Sequence, residues 1–152
     1  MNSIESYLTK RGRSASSLLT AWQESGDRSY YEETLLRFPD DPLPHFVALL
    51  YRALNDQRHE NLNQLKRTDP NNLLVNCLAA YHAFIDGRSA EAVAELIDAA
   101  SKSEFRTYQS ELDSEWMALL DSVRVRTGGG TFRFVWRNAF CILSRILGCS
   151  NG

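Results

Sequence analysis

The side chains of this chain that could do chemistry are few and scattered. The three histidines, His45, His59 and His82, share no spacing that would gather metal ligands. Cys77 could act as a nucleophile with His82 as its general base, but a separation of five residues places the two on different faces of a helix. A buried, hydrogen-bonded histidine and a small buried thiol are the favoured interpretations.

Two other patterns that are typical of functional sites are incomplete. Gly128 to Gly130 are glycine-rich like a phosphate-binding loop, but they lack the following Lys-Ser/Thr and the G-x-G-x-x-G spacing. Glu91, Glu95 and Asp98 could bind a metal, yet at this spacing they form one solvated face of a helix. The sequence therefore predicts no enzyme, no cofactor and no metal site.

The composition is that of one soluble globular domain, but its charge is unevenly distributed. The 152 residues are 43% hydrophobic and 24% charged. Residues 1–122 carry 12 basic and 19 acidic residues, a net charge of −7, whereas residues 123–152 carry five arginines and no acid. This asymmetry indicates a separate role for the tail, against an anionic surface or against the acidic face of the chain itself.

The cysteines and the N-terminus predict a cytoplasmic protein. Three cysteines, Cys77, Cys141 and Cys149, form no C-x-x-C pair, a pattern that fits a reducing compartment. The N-terminal residues lack the apolar core of a signal peptide. No segment reaches the roughly 18 to 20 consecutive apolar residues that cross a bilayer.

An internal repeat organises the middle of the chain. Residues 39–69 align without gaps with residues 70–100, at a spacing of 31 residues. Each unit starts with a proline and two polar residues, which predicts a break followed by a cap for a first helix. A polar loop, in the second unit with Gly87, then leads into a second helix. Such a helical hairpin cannot bury both faces alone, so the units are expected to stack.

A looser copy precedes the repeats, and a long helix follows them. Residues 14–24 and 29–38 predict two helices, the second beginning with an S-x-x-E capping box at Ser29. After the repeats, apolar residues recur every three or four positions and predict the longest helix of the chain. These residues are Phe105, Tyr108, Leu112, Trp116, Leu119 and Val123.

The second unit resembles the tetratricopeptide-repeat (TPR) family. The residues that carry the resemblance are Asp69-Pro-Asn-Asn72, Ala79, Ala80, Gly87, Ala92, Leu96 and Ala99. The resemblance covers about residues 14–100, although the period is 31 rather than the family's period of about 34. It implies an all-α fold in which antiparallel helical hairpins stack as a short TPR-like solenoid. Residues 1–127 would form this domain, and residues 128–152 would add a C-terminal capping helix.

The resemblance also implies a partner-binding groove on the first helix of this unit. The matching positions are Leu74, Cys77, Tyr81 and Phe84. The Lys, Arg and Asn side chains with which the family holds a partner's C-terminal carboxylate are absent from them. The groove would therefore take an amphipathic helix or an apolar strip. Alternatively, these residues contact the next hairpin.

The stretch VRVRTGGGTFRFVWR, residues 123–137, permits two predictions. Alternating apolar and basic residues around the glycines are typical of a two-stranded β-hairpin. A glycine break followed by a helix accounts for more of the chain, because at 100° per residue positions 133–149 separate into a polar and an apolar side. This second prediction is favoured. The polar side carries Arg133, Arg137 and Arg145, and the apolar side carries Trp136.

The segment 128–152 has three alternative roles. It could cap the solenoid by folding back over Phe105, Trp116 and Leu119, bind a partner or a second copy of the chain, or lie on an anionic membrane surface. Nucleic acid fits less well, because the aromatic residues that would stack on bases lie on the apolar side. The sequence thus predicts a non-enzymatic protein-protein interaction module or scaffold. The alternative is a peripheral membrane or assembly factor that attaches through this basic amphipathic helix.

Overall fold

A computed structural model describes residues 3–51 and 57–127 of the chain. These ranges form eight helices and contain no strand, which confirms the all-α class for the part described. The helices are α1 (Ser3–Arg11), α2 (Ala15–Ser25), α3 (Arg28–Arg37), α4 (Pro42–Leu50), α5 (Arg58–Thr68), α6 (Leu73–Ile85), α7 (Ser89–Ala99) and α8 (Gln109–Thr127). None of them combines the length and the apolarity needed to cross a bilayer.

Six of the helices form three helical hairpins in chain order. α2 packs on α3, α4 on α5 and α6 on α7. The first hairpin contacts the second through α4, and the second contacts the third through α5 and α6. Between them lies a core that includes Leu19, Phe46, Val47, Leu65 and Val75, each at most 1% exposed.

The turns that start and end these helices follow the local signals in the sequence. Asp41 and Asn72, each two residues after a proline, cap α4 and α6 by accepting from the amides of Leu43 at 2.9 Å and Leu74 at 3.1 Å. Gly87 has a φ of +75°, the left-handed conformation that the turn after α6 requires. The predicted helix starts at Asp41 and Asn72 and the predicted turn at Gly87 are thereby confirmed. α4 ends at Leu50, earlier than the loop predicted at residues 55–58, most of which lies outside the described residues.

The predicted capping box at Ser29 is wrong. The carboxylate of Asp27 accepts from the Ser29 amide at 3.0 Å, so Asp27 is the N-cap of α3 and Ser29 lies inside the helix. The charged carboxylate is also favoured at this position by the positive end of the helix dipole, which a serine hydroxyl cannot match.

The N-terminal helix α1 was not predicted, and it changes how the long helix is covered. Leu119 of α8 is buried in one cluster with Ile4, Tyr7 and Leu8 of α1 and with Leu18 of α2. α1 and α2 therefore cover the apolar side of α8 at the position where residues 128–152 were expected to lie. The expected fold-back of that segment itself lies outside the described residues.

The long helix begins later than predicted, at Gln109 instead of Phe105. Phe105 is 56% exposed and lies outside the helix, while Tyr108 has a φ of +55° and packs its ring 4.9 Å from that of Phe46. The backbone of Arg106 is bonded in both directions to the Asn72 side chain, N–H to Oδ1 at 3.0 Å and carbonyl to Nδ2 at 2.9 Å. Because these bonds replace helical ones, residues 101–108 stay irregular.

Residues 123–127 belong to α8, so the first strand of the alternative β-hairpin is not formed. The glycines that follow lie outside the described residues. So do the four tail residues that the sequence singles out, Arg133, Trp136, Arg137 and Arg145.

Candidate functional site

Exposed large hydrophobic side chains concentrate on the third hairpin. Of the nine that are exposed in the described part of the chain, six lie on α6 and α7, and the other three lie on separate elements. Phe84, Ile85 and Ile97 are 52%, 58% and 70% exposed. We call the six residues the α6–α7 face: Tyr81, Phe84, Ile85, Val93, Leu96 and Ile97. Concentrations of exposed apolar side chains of this kind mark interaction sites on folded proteins.

Helical periodicity gives the α6–α7 face its two stripes. Tyr81, Phe84 and Ile85 on α6, like Val93, Leu96 and Ile97 on α7, are spaced i, i+3, i+4 and therefore share one side of their helix. The two helices pack on each other through the small residues Ala80, Ala83 and Ala92. The small side chains let the helices approach closely, so the stripes lie on directly neighbouring helices.

The structure divides the four predicted partner-binding residues. Leu74 is 5% exposed and belongs to the main core, so its side chain is not at the surface. Cys77 is partly buried, and Tyr81 and Phe84 are exposed. Cys77, Tyr81 and Phe84 follow at intervals of four and three residues, which places them along the same side of α6. Burial raises the pKa of the Cys77 thiol, which keeps it protonated and a poor nucleophile at neutral pH.

The stripe on α7 was not predicted as part of the site. Its periodicity is visible in the sequence, but Leu96 was assigned to a signature position of the TPR-like unit, where such residues pack inside the array. The structure leaves Val93, Leu96 and Ile97 between 46% and 70% exposed.

His82 lies beside the stripe on α6, on its buried side. It is 8% exposed, and its ring contacts that of Tyr81 edge-on at 5.4 Å. Burial lowers the pKa of His82, and the nearby charge of Arg58 adds to the effect. Nδ1 finds no hydrogen-bond partner in the described ranges. The predicted burial is confirmed, and the predicted hydrogen bond is not found at Nδ1.

Acidic residues outnumber basic ones in α7 and the segments on either side of it. Residues 86–104 contain five acidic and two basic residues, a net charge of −3. A hydrogen bond from Arg88 is the main cause that lowers the pKa of Asp86, and one from Lys102 does the same for Asp98. Both carboxylates are therefore ionised at neutral pH, and both are paired with basic side chains, Asp86 with Arg58 and Arg88 and Asp98 with Lys102. Glu91, Glu95 and Asp98 lie on the side of α7 opposite its apolar stripe.

Glu91, Glu95 and Asp98 were considered as metal ligands, but their hydrogen bonds and ion pairs engage them elsewhere. Asn76 donates from Nδ2 to Glu95 at 2.9 Å and to Asp98 at 2.7 Å, and Glu91 is paired with Arg88. Across the ranges that the structure describes, no group of three or more His, Cys, Asp or Glu side chains is arranged to hold a metal ion.

A cleft of about 110 Å³ lies at the base of the third hairpin. Lys66, Asp69, Asp98 and Lys102 line it in a balanced set of two positive and two negative charges. It is well below the roughly 300–1,000 Å³ of ordinary small-molecule sites. The α6–α7 face, a surface and not a cavity, is therefore the stronger candidate.

Two buried polar clusters could also be taken for active sites, but both join elements of the fold. Asp69 accepts from Asn72 Nδ2 at 3.0 Å, from Arg106 Nη2 at 2.9 Å and from the Tyr108 hydroxyl. Burial alone would raise the pKa of Asp69, but these hydrogen bonds outweigh it and the pKa is lowered. The cluster connects the start of α6 with the segment before α8, and all its polar groups are used in doing so.

The second cluster centres on Glu115 of α8. Its carboxylate accepts from the Tyr7 hydroxyl at 2.7 Å and from Arg11 Nε and Nη2 at 2.9 and 2.6 Å. Burial raises the pKa of the Tyr7 phenol far above its usual range, with the adjacent carboxylate adding to the effect. A permanently neutral phenol and a fully engaged carboxylate connect α1 to α8 and leave no group free for a substrate.

Comparison of the chain with protein-family models, with curated proteins and with solved structures gave no match. The resemblance to tetratricopeptide repeats thus stays a prediction from the sequence.

Proposed function

We propose that this protein is a non-enzymatic protein-protein interaction module that binds an amphipathic helix of a partner on the α6–α7 face. The observation that carries the proposal is the concentration of exposed apolar residues there, in two helical stripes on one hairpin. An apolar strip of a partner helix, read as anchors at i, i+3, i+4 and i+7, fits between such stripes.

The order of the hairpins supports the position of the site. The three hairpins contact one another in chain order, in keeping with a short TPR-like stack. Within the described ranges no further hairpin follows α7, and the chain instead returns through α8 to α1 and α2. The outer side of the third hairpin is therefore the end of the stack, where a repeat would otherwise continue.

A library of displayed helical peptides, selected on the full-length chain, tests the proposal. We expect the selected peptides to share an apolar strip with anchors at i, i+3, i+4 and i+7. Ile97→Asp should weaken their binding at least roughly tenfold, because it puts a charge into the apolar contact. Leu36→Asp is the matched control, since Leu36 is 84% exposed on α3, and it should leave the affinity unchanged.

Peptides that bind the Ile97→Asp protein as well as the wild type would show that the α6–α7 face is not the site. Binding of the full chain to anionic vesicles tests the alternative. The alternative is favoured if Ile97→Asp leaves this binding unchanged and if changing Arg133, Arg137 and Arg145 to Glu abolishes it. That alternative, a peripheral membrane or assembly factor, depends on the tail, which lies outside the described residues.

A further inference from the structure

We propose that the α6–α7 face also pairs with the same face of a second copy of this chain, so that two third hairpins form a symmetric four-helix layer. The inference uses the same face as the proposed function but does not depend on it, since two copies can pair without any partner. The two occupants exclude each other, so a partner helix has to displace the second copy. The geometry, the charge and the area of the face support this occupant.

The two stripes lie on the same side of the hairpin. At 100° per residue, the stripe on α6 follows the packing seam at Ala80 and Ala83 by roughly 120°, and the stripe on α7 follows Ala92 by roughly 90°. The helices are antiparallel, because only residues 86–88 join them. Antiparallel helices turn in opposite senses when they are viewed from one end. Similar angles, each taken along its own chain, therefore bring both stripes to one side and make them a single surface.

Within α6 and α7, no charged residue lies on the side that carries the stripes. Glu91, Glu95 and Asp98 lie on the opposite side of α7, and His82 lies on the side of α6 that faces the core. A two-fold axis brings the same patch of both copies together, so charges within the patch would repel their own copies. An uncharged apolar surface is compatible with itself, and it offers no charge that would select a partner of opposite sign.

The exposed area is sufficient for a specific dimer. With exposed fractions between 38% and 70%, the six side chains present roughly 600 Å² on each copy. Two copies would bury roughly 1,200 Å² in all, which is the lower bound for specific interfaces, before any polar rim is counted. An apolar interface of this size corresponds to a dissociation constant of roughly 1–100 μM.

A second hairpin is also the occupant that the stack itself lacks at this end. A helical hairpin cannot bury both faces alone, and the third hairpin has a neighbouring hairpin on one side only within the described ranges. Two such hairpins that meet face to face place four apolar stripes inside one helix bundle. A second copy therefore covers both stripes at once, over the full width of the face.

Sedimentation equilibrium of the full-length chain between roughly 1 and 500 μM tests the pairing. We expect the mass to rise from the 17.3 kDa of one chain toward twice that value. A symmetric dimer contains each substitution twice, so Ile97→Asp on α7 and Phe84→Asp on α6 should each raise the dissociation constant at least roughly hundredfold. Leu36→Asp should leave it unchanged, and thermal unfolding should show that all three variants are folded.

Alkylation of Cys77 locates the contact on the hairpin. Cys77 lies on the same side of α6 as Tyr81, and it is level with the stripe on α7, because the adjacent Asn76 donates to Glu95 and Asp98. The rate at this thiol, measured by mass spectrometry of the peptide that contains it, should fall at least roughly threefold from the lowest to the highest concentration. In Ile97→Asp the rate should not depend on concentration.

Three results would overturn the inference. The first is a wild-type chain that stays monomeric up to roughly 500 μM. The second is a dimer that survives both Ile97→Asp and Phe84→Asp, which would place the contact on another part of the chain. The third is a mass that rises beyond that of two copies, since a symmetric pair is closed.

The peptides selected for the proposed function separate its failure from that of the pairing. If both hold, a bound peptide should convert the dimer into single chains. Peptide binding that depends on Ile97, in a chain that is monomeric throughout, would keep the proposed function and reject the second copy. A dimer that depends on Ile97 and Phe84, together with a library that yields no binding peptide, would keep the pairing and reject the proposed function.

Discussion

The contact between α1 and α8 depends on one buried carboxylate, and its removal gives a quantitative prediction. Glu115 is 6% exposed and accepts three side-chain hydrogen bonds at 2.6–2.9 Å from Tyr7 and Arg11. Glu115→Ala removes all three. The hydroxyl of the fully buried Tyr7 then keeps a weak bond to the carbonyl of residue 115, at 3.4 Å, and its interaction with the Thr20 side chain.

The expected loss is about 3 kcal/mol of unfolding free energy. A hydrogen bond from a buried hydroxyl to a carboxylate contributes about 1.5–3 kcal/mol. The Arg11 side chain is 44% exposed and regains water when the pair is broken, so its share is discounted to about 1 kcal/mol or less. The sum lies at the lower end of the range for breaking a buried ion pair, about 3–5 kcal/mol. For a chain of this size it lowers the melting temperature by about 6–12 °C.

Urea unfolding followed by circular dichroism measures the loss, provided that the slope of the transition is unchanged. Glu111→Ala is the matched control, because Glu111 is exposed one turn earlier on the same helix, and it should stay close to the wild type. Glu115→Gln keeps an acceptor for Tyr7 and should fall between the two. A loss below about 1 kcal/mol for Glu115→Ala, or one no larger than that of Glu111→Ala, would refute the role given to this carboxylate.

The dependence of the loss on pH gives the prediction a second check. Burial alone would raise the pKa of Glu115, but the hydrogen bonds from Arg11 and Tyr7 outweigh the effect of burial, so the pKa is lowered overall. A lowered carboxyl pKa stabilises the fold above the unfolded value of 4.5, and this contribution is lost as the pH falls through the folded pKa. The difference between the wild type and Glu115→Ala should therefore shrink below about pH 4.5.

The remaining predictions concern α6. Burial lowers the pKa of His82, so the unfolded state binds a proton at this histidine more readily than the folded state. The free energy of unfolding should therefore be highest above about pH 6.5 and should decrease below it. His82→Gln should make the midpoint of urea unfolding less dependent on pH in this range. Equal slopes for the two proteins would contradict this. Asn72→Ala removes the cap of α6 and both bonds to the Arg106 backbone, so it should cost about 3 kcal/mol and speed tryptic cleavage after Arg106. The exposed Asn71→Ala is its control, and equal cleavage in the two variants would count against the role of Asn72.

The features predicted from the sequence are those that local chemistry decides. A proline followed by two polar residues sets both the break and the cap at Asp41 and at Asn72, without help from distant residues. Gly87 takes the left-handed turn because it has no side chain to oppose it. These signals are sufficient to place the starts of the second and third hairpins and the turn of the third.

The features that were missed depend on residues far away in sequence. α1 carries a weak helical signal, since Ile4, Tyr7 and Leu8 share one side, but nine residues do not form a stable helix alone. Its stability comes from Leu119, which no local pattern connects to it. Phe105 continues the apolar periodicity of α8 toward the N-terminus. The side chain of Asn72, however, accepts a hydrogen bond from the backbone amide of Arg106, so the helix does not begin until after that residue.

The candidate site was predicted only in part, because the exposure of its residues also depends on packing between elements that are distant in sequence. Leu74, Tyr81 and Phe84 were all taken from the family's pattern of groove positions. The structure exposes Tyr81 and Phe84 but places Leu74 in the core, where α4, α5 and α6 meet. Val93, Leu96 and Ile97 on α7 were left out of the predicted site. Such residues are exposed only on the last hairpin of the stack, because no further hairpin of the described chain covers them.

The contact between α1 and α8 also has a consequence for the order in which the chain folds. Hairpins that meet only their neighbours can form as soon as each is synthesised, and such arrays fold from local contacts. The bonds from Tyr7 and Arg11 to Glu115 join residues 108 and 104 positions apart. During translation α1 can contact α2 early, but its contact with α8 forms only when nearly all of the described chain has left the ribosome, and closing so long a loop is a late step. Truncation within α8 should therefore leave Tyr7 and Arg11 without the carboxylate that they bind, although α1 would keep its contacts with α2.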